Sequence, residues 1–265
     1  MSELQEEIDD LIIEHEEFIR ILTINRPHRR NALSEALKMK MINAILDAEE
    51  DPKVRVLVIT GTGEDAFCTG ADLKNIHHND QAGIKFRTPM NRVERNIFEL
   101  VYETKKPVIA AINGSAVAGG FELALACNLR VTHDAAMFGL PETKIGMGAN
   151  FGSVLLPRMI GITHALEMLL TGEYITAAKA KDLGLINRLV PKEQVVSTAI
   201  EIARVIASNA PISVRRVKAV ALQGFDMPVA TALRQDPGLN PYLSEDRQEG
   251  ISARLEKRQP VWKNC

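Results

Sequence analysis

The sequence predicts an α/β core followed by a helical C-terminal region. Residues 54–59, apolar but for Arg55, and 108–112 are short apolar runs, the pattern of strands buried on both faces of a parallel sheet. Each run leads into glycine-bearing backbone and then into a helix. From Glu193 onward the apolar spacing is mainly helical. The expected division is an α/β core over residues 1–195 and a helical region over 196–265.

Composition narrows the function classes. The 265 residues are 46% hydrophobic and 25% charged, ample for a sizeable core, and a net charge of −2 gives no reason to expect a nucleic-acid partner. Cys68, Cys127 and Cys265 are too few and too scattered for a disulfide framework or a zinc site. No apolar run is long enough to span a bilayer, and the acidic start MSELQEEIDD has neither secretory nor transit character. A soluble, cytoplasmic protein with no membrane partner is expected.

Along the chain, residues 11–25 are rich in Ile, split by the polar stretch Glu14 to Glu17, and suit an edge hairpin. Arg26-Pro27 stops the strand, and His28, Arg29 and Arg30 form a basic cluster. Ser34 followed by Leu37, Met41 and Ile45 marks a capped helix, broken at Asp51-Pro52. After strand 54–59, Gly61-Thr62-Gly63 to Ala66 has the spacing of a dinucleotide fingerprint. Phe67-Cys68-Thr69-Gly70 interrupts where its helix should run, so the helix start is placed near Ala71. Residues 77–87 are polar without a period and read as a loop, and 90–101 as a helix. Strand 108–112, the turn Asn113 to Gly120 and a helix from Phe121 follow. Helices are expected over 154–160 and 165–170, then one capped by Thr176 and ending at Gly184. A short strand over 186–190 stops at Pro191.

The segment from Pro107 to Glu142 carries the chemistry. Its helix is apolar on nearly every face and should be buried, yet Glu122 sits in the first turn. A carboxyl there must be paired, hydrogen-bonded or neutral. Glu142 follows a second short strand. Helix starts near Ala71 and Gly119 offer backbone N–H groups that lack partners within their own helices. Two such donors aimed at one oxygen would stabilise an oxyanion; tight strand-to-helix turns would need the same glycines.

CTGADLK, INGSAVAGGFELALACN and FGLPE, with NRPHRRNAL near the start and SEDRQEGISARLEKRQPVW near the end, resemble the enoyl-CoA hydratase/isomerase (crotonase) family. The resemblance covers nearly the whole chain. It implies a crotonase-like spiral of repeated ββα units with a helical C-terminal region that drives trimers, often paired into hexamers. It implies an acyl-CoA thioester substrate and no cofactor, coenzyme A being part of the substrate. On the matching positions, Ala71 and Gly119 would supply the oxyanion N–H groups, and Glu122 and Glu142 the two catalytic acids. Ala71, Asp72, Leu73 and Lys74 would line the CoA and acyl path. Arg30 and Lys257 would meet the nucleotide part, with Arg29 assisting. Asn150 stands where hydratases have a glycine near the attacking water.

Both acids together point to hydration of a 2-enoyl-CoA or its reverse. Double-bond isomerisation, dehydration of a specialised hydroxyacyl-CoA and thioester hydrolysis would use the same oxyanion site. A serine hydrolase on Ser115 with His133 and Asp134 lacks the nucleophile elbow. An RNA-binding member of the fold would need a basic stripe that is absent.

Overall fold

The computed structural model describes residues 9–85, 90 and 93–265. The expected edge hairpin is β1 (Leu11–Glu16) and β2 (Ile19–Ile24), paired antiparallel. Helix α1 (Glu35–Glu50) starts where Ser34 accepts a hydrogen bond from the Leu37 amide, and it buries Leu37, Met41, Ala44, Ile45 and Ala48. Each of the larger side chains contributes about 2 kcal/mol of apolar burial.

Two strands and a helix then recur. Strand β3 (Val56–Gly61) is followed by β4 (Ala66–Cys68) and α2 (Leu73–Gln81). After α3 (Ile97–Glu103), β5 (Val108–Ile112) is followed by β6 (Ser115–Val117) and α4 (Gly119–Ala126). Next, β7 (Leu129–Thr132) and β8 (Met137–Gly139) lead through a short 3-10 turn, Pro141–Ile145, to α5 (Asn150–Ile160) and α6 (Ile162–Thr171). The chain continues through β9 (Ile175–Thr176), α7 (Ala177–Asp182), β10 (Arg188–Leu189) and α8 (Val195–Ala207). It ends with α9 (Pro211–Gly224), α10 (Val229–Ala232) and α11 (Glu245–Glu256).

The long strands form one six-stranded sheet, β1-β2-β3-β5-β7-β10, parallel from β2 onward. The short ones form a second sheet, β4-β6-β8-β9, in which β4, β6 and β8 run parallel. This second sheet sets the site, because its three parallel strands end side by side.

Three expectations change. The division at residue 195 falls at the first residue of α8, but Val195, Ala199, Ala203 and Ala207 pack on Ile19, Val56, Val58, Ile109 and Val131. The core therefore extends through α8. The loop expected from His77 is helical through Gln81; all of α2 lies on the surface, so it has no apolar stripe to read. Residues 86–89 and 91–92, which include the end of the expected loop 77–87 and part of the expected helix 90–101, lie outside the described residues; the described helix begins at Ile97. Its capping box joins Asn96 and Glu99, a signal present in the sequence. Residues 66–68 form a strand, which excludes the dinucleotide turn. Among the described residues no single helix is long and apolar enough to cross a membrane.

Candidate active site

The carboxyl ends of β4, β6 and β8 lead into Ala71, Gly119 and Glu142, which brings together three chain segments far apart in sequence. Ala71 bridges Leu33: the Leu33 amide donates to the Gly70 carbonyl (2.7 Å) and the Asp72 amide to the Leu33 carbonyl (3.2 Å). In a parallel bridge of this kind the Ala71 N–H faces the other way. Gly119 opens α4, where its N–H has no acceptor within the helix.

The two backbone segments touch. A Cβ built on Gly70, whose φ is +80°, would lie 2.6 Å from the Gly119 nitrogen. One built on Gly119 would lie 3.3 Å from Gly70 Cα and 3.8 Å from the Ala71 nitrogen. Only glycine permits this approach. Ala118, just before α4, has φ 53° and ψ −131°, a strained conformation for a residue with a side chain. Its N–H donates to the Gly139 carbonyl (2.9 Å), tying the head of α4 to the end of β8.

Glu122 lies in the first turn of α4 and is 6% exposed; Glu142 lies in the 3-10 turn and is 7% exposed. The Gly152 amide donates to Glu122 Oε1 (2.8 Å). Burial pushes the Glu122 carboxyl up to about 7; the Glu142 charge pushes the same way, while the Gly152 and Phe151 amides oppose. Burial also raises Glu142. Glu142 Oε2 is buried without a hydrogen-bond partner. Such an atom in a dry interior is costly unless a ligand or water meets it.

At the opposite end of α4, Arg130 is 6% exposed. Its Nη1 donates to the Cys127 and Ala124 carbonyls (2.6 and 3.2 Å) and its Nε to Leu185 (2.5 Å). It makes no ion pair among the described residues. Sequence reading missed this residue; an arginine inside a strand just beyond an apolar helix was the available signal.

The remaining candidates divide. The Arg30 carbonyl accepts from Thr69 Oγ1 (3.1 Å), which holds the exposed Arg30 beside the approach to Ala71. Leu73 and Lys74 are exposed at the start of α2. Asp72 is used structurally. Its carboxylate caps α2 through the Asn75 amide (3.4 Å) and pairs with Arg26 (3.1 Å) while 8% exposed, so any ligand contact there falls to backbone. The Asn150 amide donates to the Gly148 carbonyl (3.0 Å) and serves its own loop. Lys257 is an exposed left-handed residue ending α11, and among the described residues no contact joins it to the glutamates. Ser115 Oγ accepts from the Met137 amide, whereas His133 Nε2 meets the Asn113 carbonyl and Asp134 is exposed, so these three form no triad.

Comparison with known proteins gives one consistent answer. The family model for enoyl-CoA hydratase/isomerase matches residues 14–265. The 2,3-dehydroadipyl-CoA hydratase of Escherichia coli is 36% identical over 260 residues, covering 97% of this chain and 99% of that protein. The short-chain-enoyl-CoA hydratase of Clostridium acetobutylicum is 36% identical over 256 residues, covering 95% and 97%. The crystal structure of an enoyl-CoA hydratase from Bacillus anthracis superposes with a TM-score of 0.87 at 35% identity, covering 97% of this chain and all of that one. The chain has the crotonase fold and belongs to the enoyl-CoA hydratase/isomerase family of enzymes.

Proposed function

We propose that this enzyme adds water across the 2,3 double bond of an enoyl-CoA thioester, or removes it in reverse, using Glu122 and Glu142. The observation that carries the reading is the pair of buried carboxyls, one anchored by the Gly152 amide and the other with an unpartnered oxygen, beside the converging backbone of Ala71 and Gly119.

The thioester oxygen would accept hydrogen bonds from the Ala71 and Gly119 amides. As water attacks C3, the electron pair of the double bond moves toward C2 and the carbonyl, and the oxygen gains enolate charge. Preorganised donors at that oxygen contribute roughly 3 kcal/mol each in well-studied hydrolases. Glu122 and Glu142 position and deprotonate the water, and Glu142 delivers a proton to C2. One carboxyl must be ionised and the other protonated, so the titration belongs to the pair. Relatives named hydratases and a carnitinyl-CoA dehydratase, 37% identical, support addition or elimination of water over the sister reactions.

Arg30, with Arg29 nearby, supplies positive charge for the CoA phosphates. Lys257, exposed at the end of α11, would do so as well. A trimer or hexamer is supported by exposed apolar side chains in the C-terminal region, including Phe225, Leu233, Leu243 and Leu255.

The test is hydration of crotonyl-CoA against isomerisation of a 3-enoyl-CoA, in the wild type and in Glu122→Gln and Glu142→Gln. Each substitution is expected to lower kcat by about 100- to 10,000-fold while a saturated acyl-CoA still binds. Near-normal hydration by both variants would overturn the assignment.

A further inference from the structure

Three aromatic rings beside the glutamates are not used by the chemistry above. Phe98 and Tyr102 lie four residues apart on α3 and share a face. Phe151 lies in the first turn of α5. The Phe98 and Phe151 centroids are 5.9 Å apart at 40°, and those of Tyr102 and Phe151 are 6.1 Å apart at 70°. Phe67, Phe121 and Phe138 are fully buried core rings, whereas this trio is half-buried and keeps ring surface free.

The trio is fixed to the reacting region at two points. The Phe98 ring tip lies 3.3 Å from the Cβ position of Gly119, next to the proposed seat of the thioester oxygen. Phe151 directly precedes Gly152, whose amide holds Glu122. Glu122 acts at the β-carbon, so whatever that carbon carries leaves the site beside the head of α5, where Phe151 is the first apolar side chain. Near Tyr102 the Arg158 and Asp226 side chains pair at 3.1 Å.

We propose that Phe98, Phe151 and Tyr102 form the selectivity wall of the acyl site and favour thioesters whose β-carbon bears a planar aryl group. This rests on the acyl-CoA reading of the Gly119 and Glu122 region. Offset and edge-on ring contacts add to the gain from area burial. A flat ring also has fewer torsions to freeze than a saturated chain of equal area. Two such contacts correspond to about a tenfold preference or more.

The test measures binding separately from turnover. Calorimetry on the full chain compares 3-phenylpropanoyl-CoA, butanoyl-CoA and decanoyl-CoA, in which the CoA contribution is common. The wild type is expected to bind the phenyl ester at least about tenfold more tightly than the butanoyl ester, and more tightly than the decanoyl ester. Phe98→Leu and Phe151→Leu are each expected to lower the phenyl-to-butanoyl preference about tenfold; Tyr102→Leu serves if either fails to fold. Equal affinity for the phenyl and butanoyl esters, strongest binding of the decanoyl ester, or a preference untouched by the substitutions would overturn the proposal. Absence of crotonyl-CoA hydration alongside an intact aryl preference would instead count against the hydratase reading alone.

Discussion

Glu122→Gln should stabilise the protein at alkaline pH while disabling it. In the wild type, burial raises the Glu122 carboxyl from an ordinary 4.5 to about 7. A raised acid favours folding fully only below its unfolded value, and that contribution is lost as pH rises through the folded value. The window is therefore about pH 4.5 to 7. At 1.36 kcal/mol per pH unit, the loss across it is about 3 kcal/mol. Glutamine has no charge to desolvate, and its carbonyl oxygen can still accept from the Gly152 amide. The variant should match the wild type near pH 4.5 and exceed it by about 2–3 kcal/mol at pH 8.5. Urea unfolding at both values, with protein concentration fixed so that association does not enter, measures the difference. A gap between variant and wild type that is the same at the two pH values would refute the reasoning.

Asp72→Asn should show the opposite pH signature. Burial pushes the Asp72 carboxyl up, but the Arg26 hydrogen bond and charge outweigh it and hold it below the ordinary range, so its contribution is present at neutral pH and fades on acidification. Thermal unfolding at pH 7 should register a loss of about 2 kcal/mol that narrows toward pH 3. Gly119→Ala places a methyl between the Phe98 ring, Gly70 and the Ala71 nitrogen; kcat/KM for crotonyl-CoA should fall by about 100-fold or more in a protein that still folds. The pH profile of wild-type kcat/KM should be bell-shaped, and Glu122→Gln should remove one limb, which stopped-flow or ultraviolet assays across pH 5–9 would detect.

The sequence made the site legible where polarity clashed with its surroundings. Glu122 inside an apolar helix was visible because burial of a carboxyl demands an explanation, and Gly119 because glycine-rich backbone between a buried strand and a helix marks a helix start with free N–H groups. The six-stranded sheet was legible through the buried runs that became β3 and β5. The second sheet was not, since β4, β6 and β8 have only three residues each, too few for alternation to show. Asp72 was placed on a ligand path by the family resemblance of Ala71 to Lys74; Arg26 lies far from it in sequence, and nothing local reveals that pair. The start of helix α2 was legible after Gly70, but its continuation past His77 was not, for want of a buried face. The contact between Gly152 and Glu122 depends on the packing of α4 against α5, and no local pattern encodes it.

Arg130 has a consequence for the far end of its helix. Its guanidinium sits in a cage of carbonyls with no carboxylate partner among the described residues, while burial pushes the two acids toward their neutral forms. The interior around α4 thus holds a buried positive charge that carbonyl dipoles, and no directly paired carboxylate among the described residues, satisfy. Eight residues span about 12 Å, and across that distance a unit charge lowers the energy of one anion at the helix head by about 1.4 kcal/mol at an effective dielectric of 20. The polypeptide is electrically biased to host a single negative charge near Gly119, and a transient enolate is a charge of that kind.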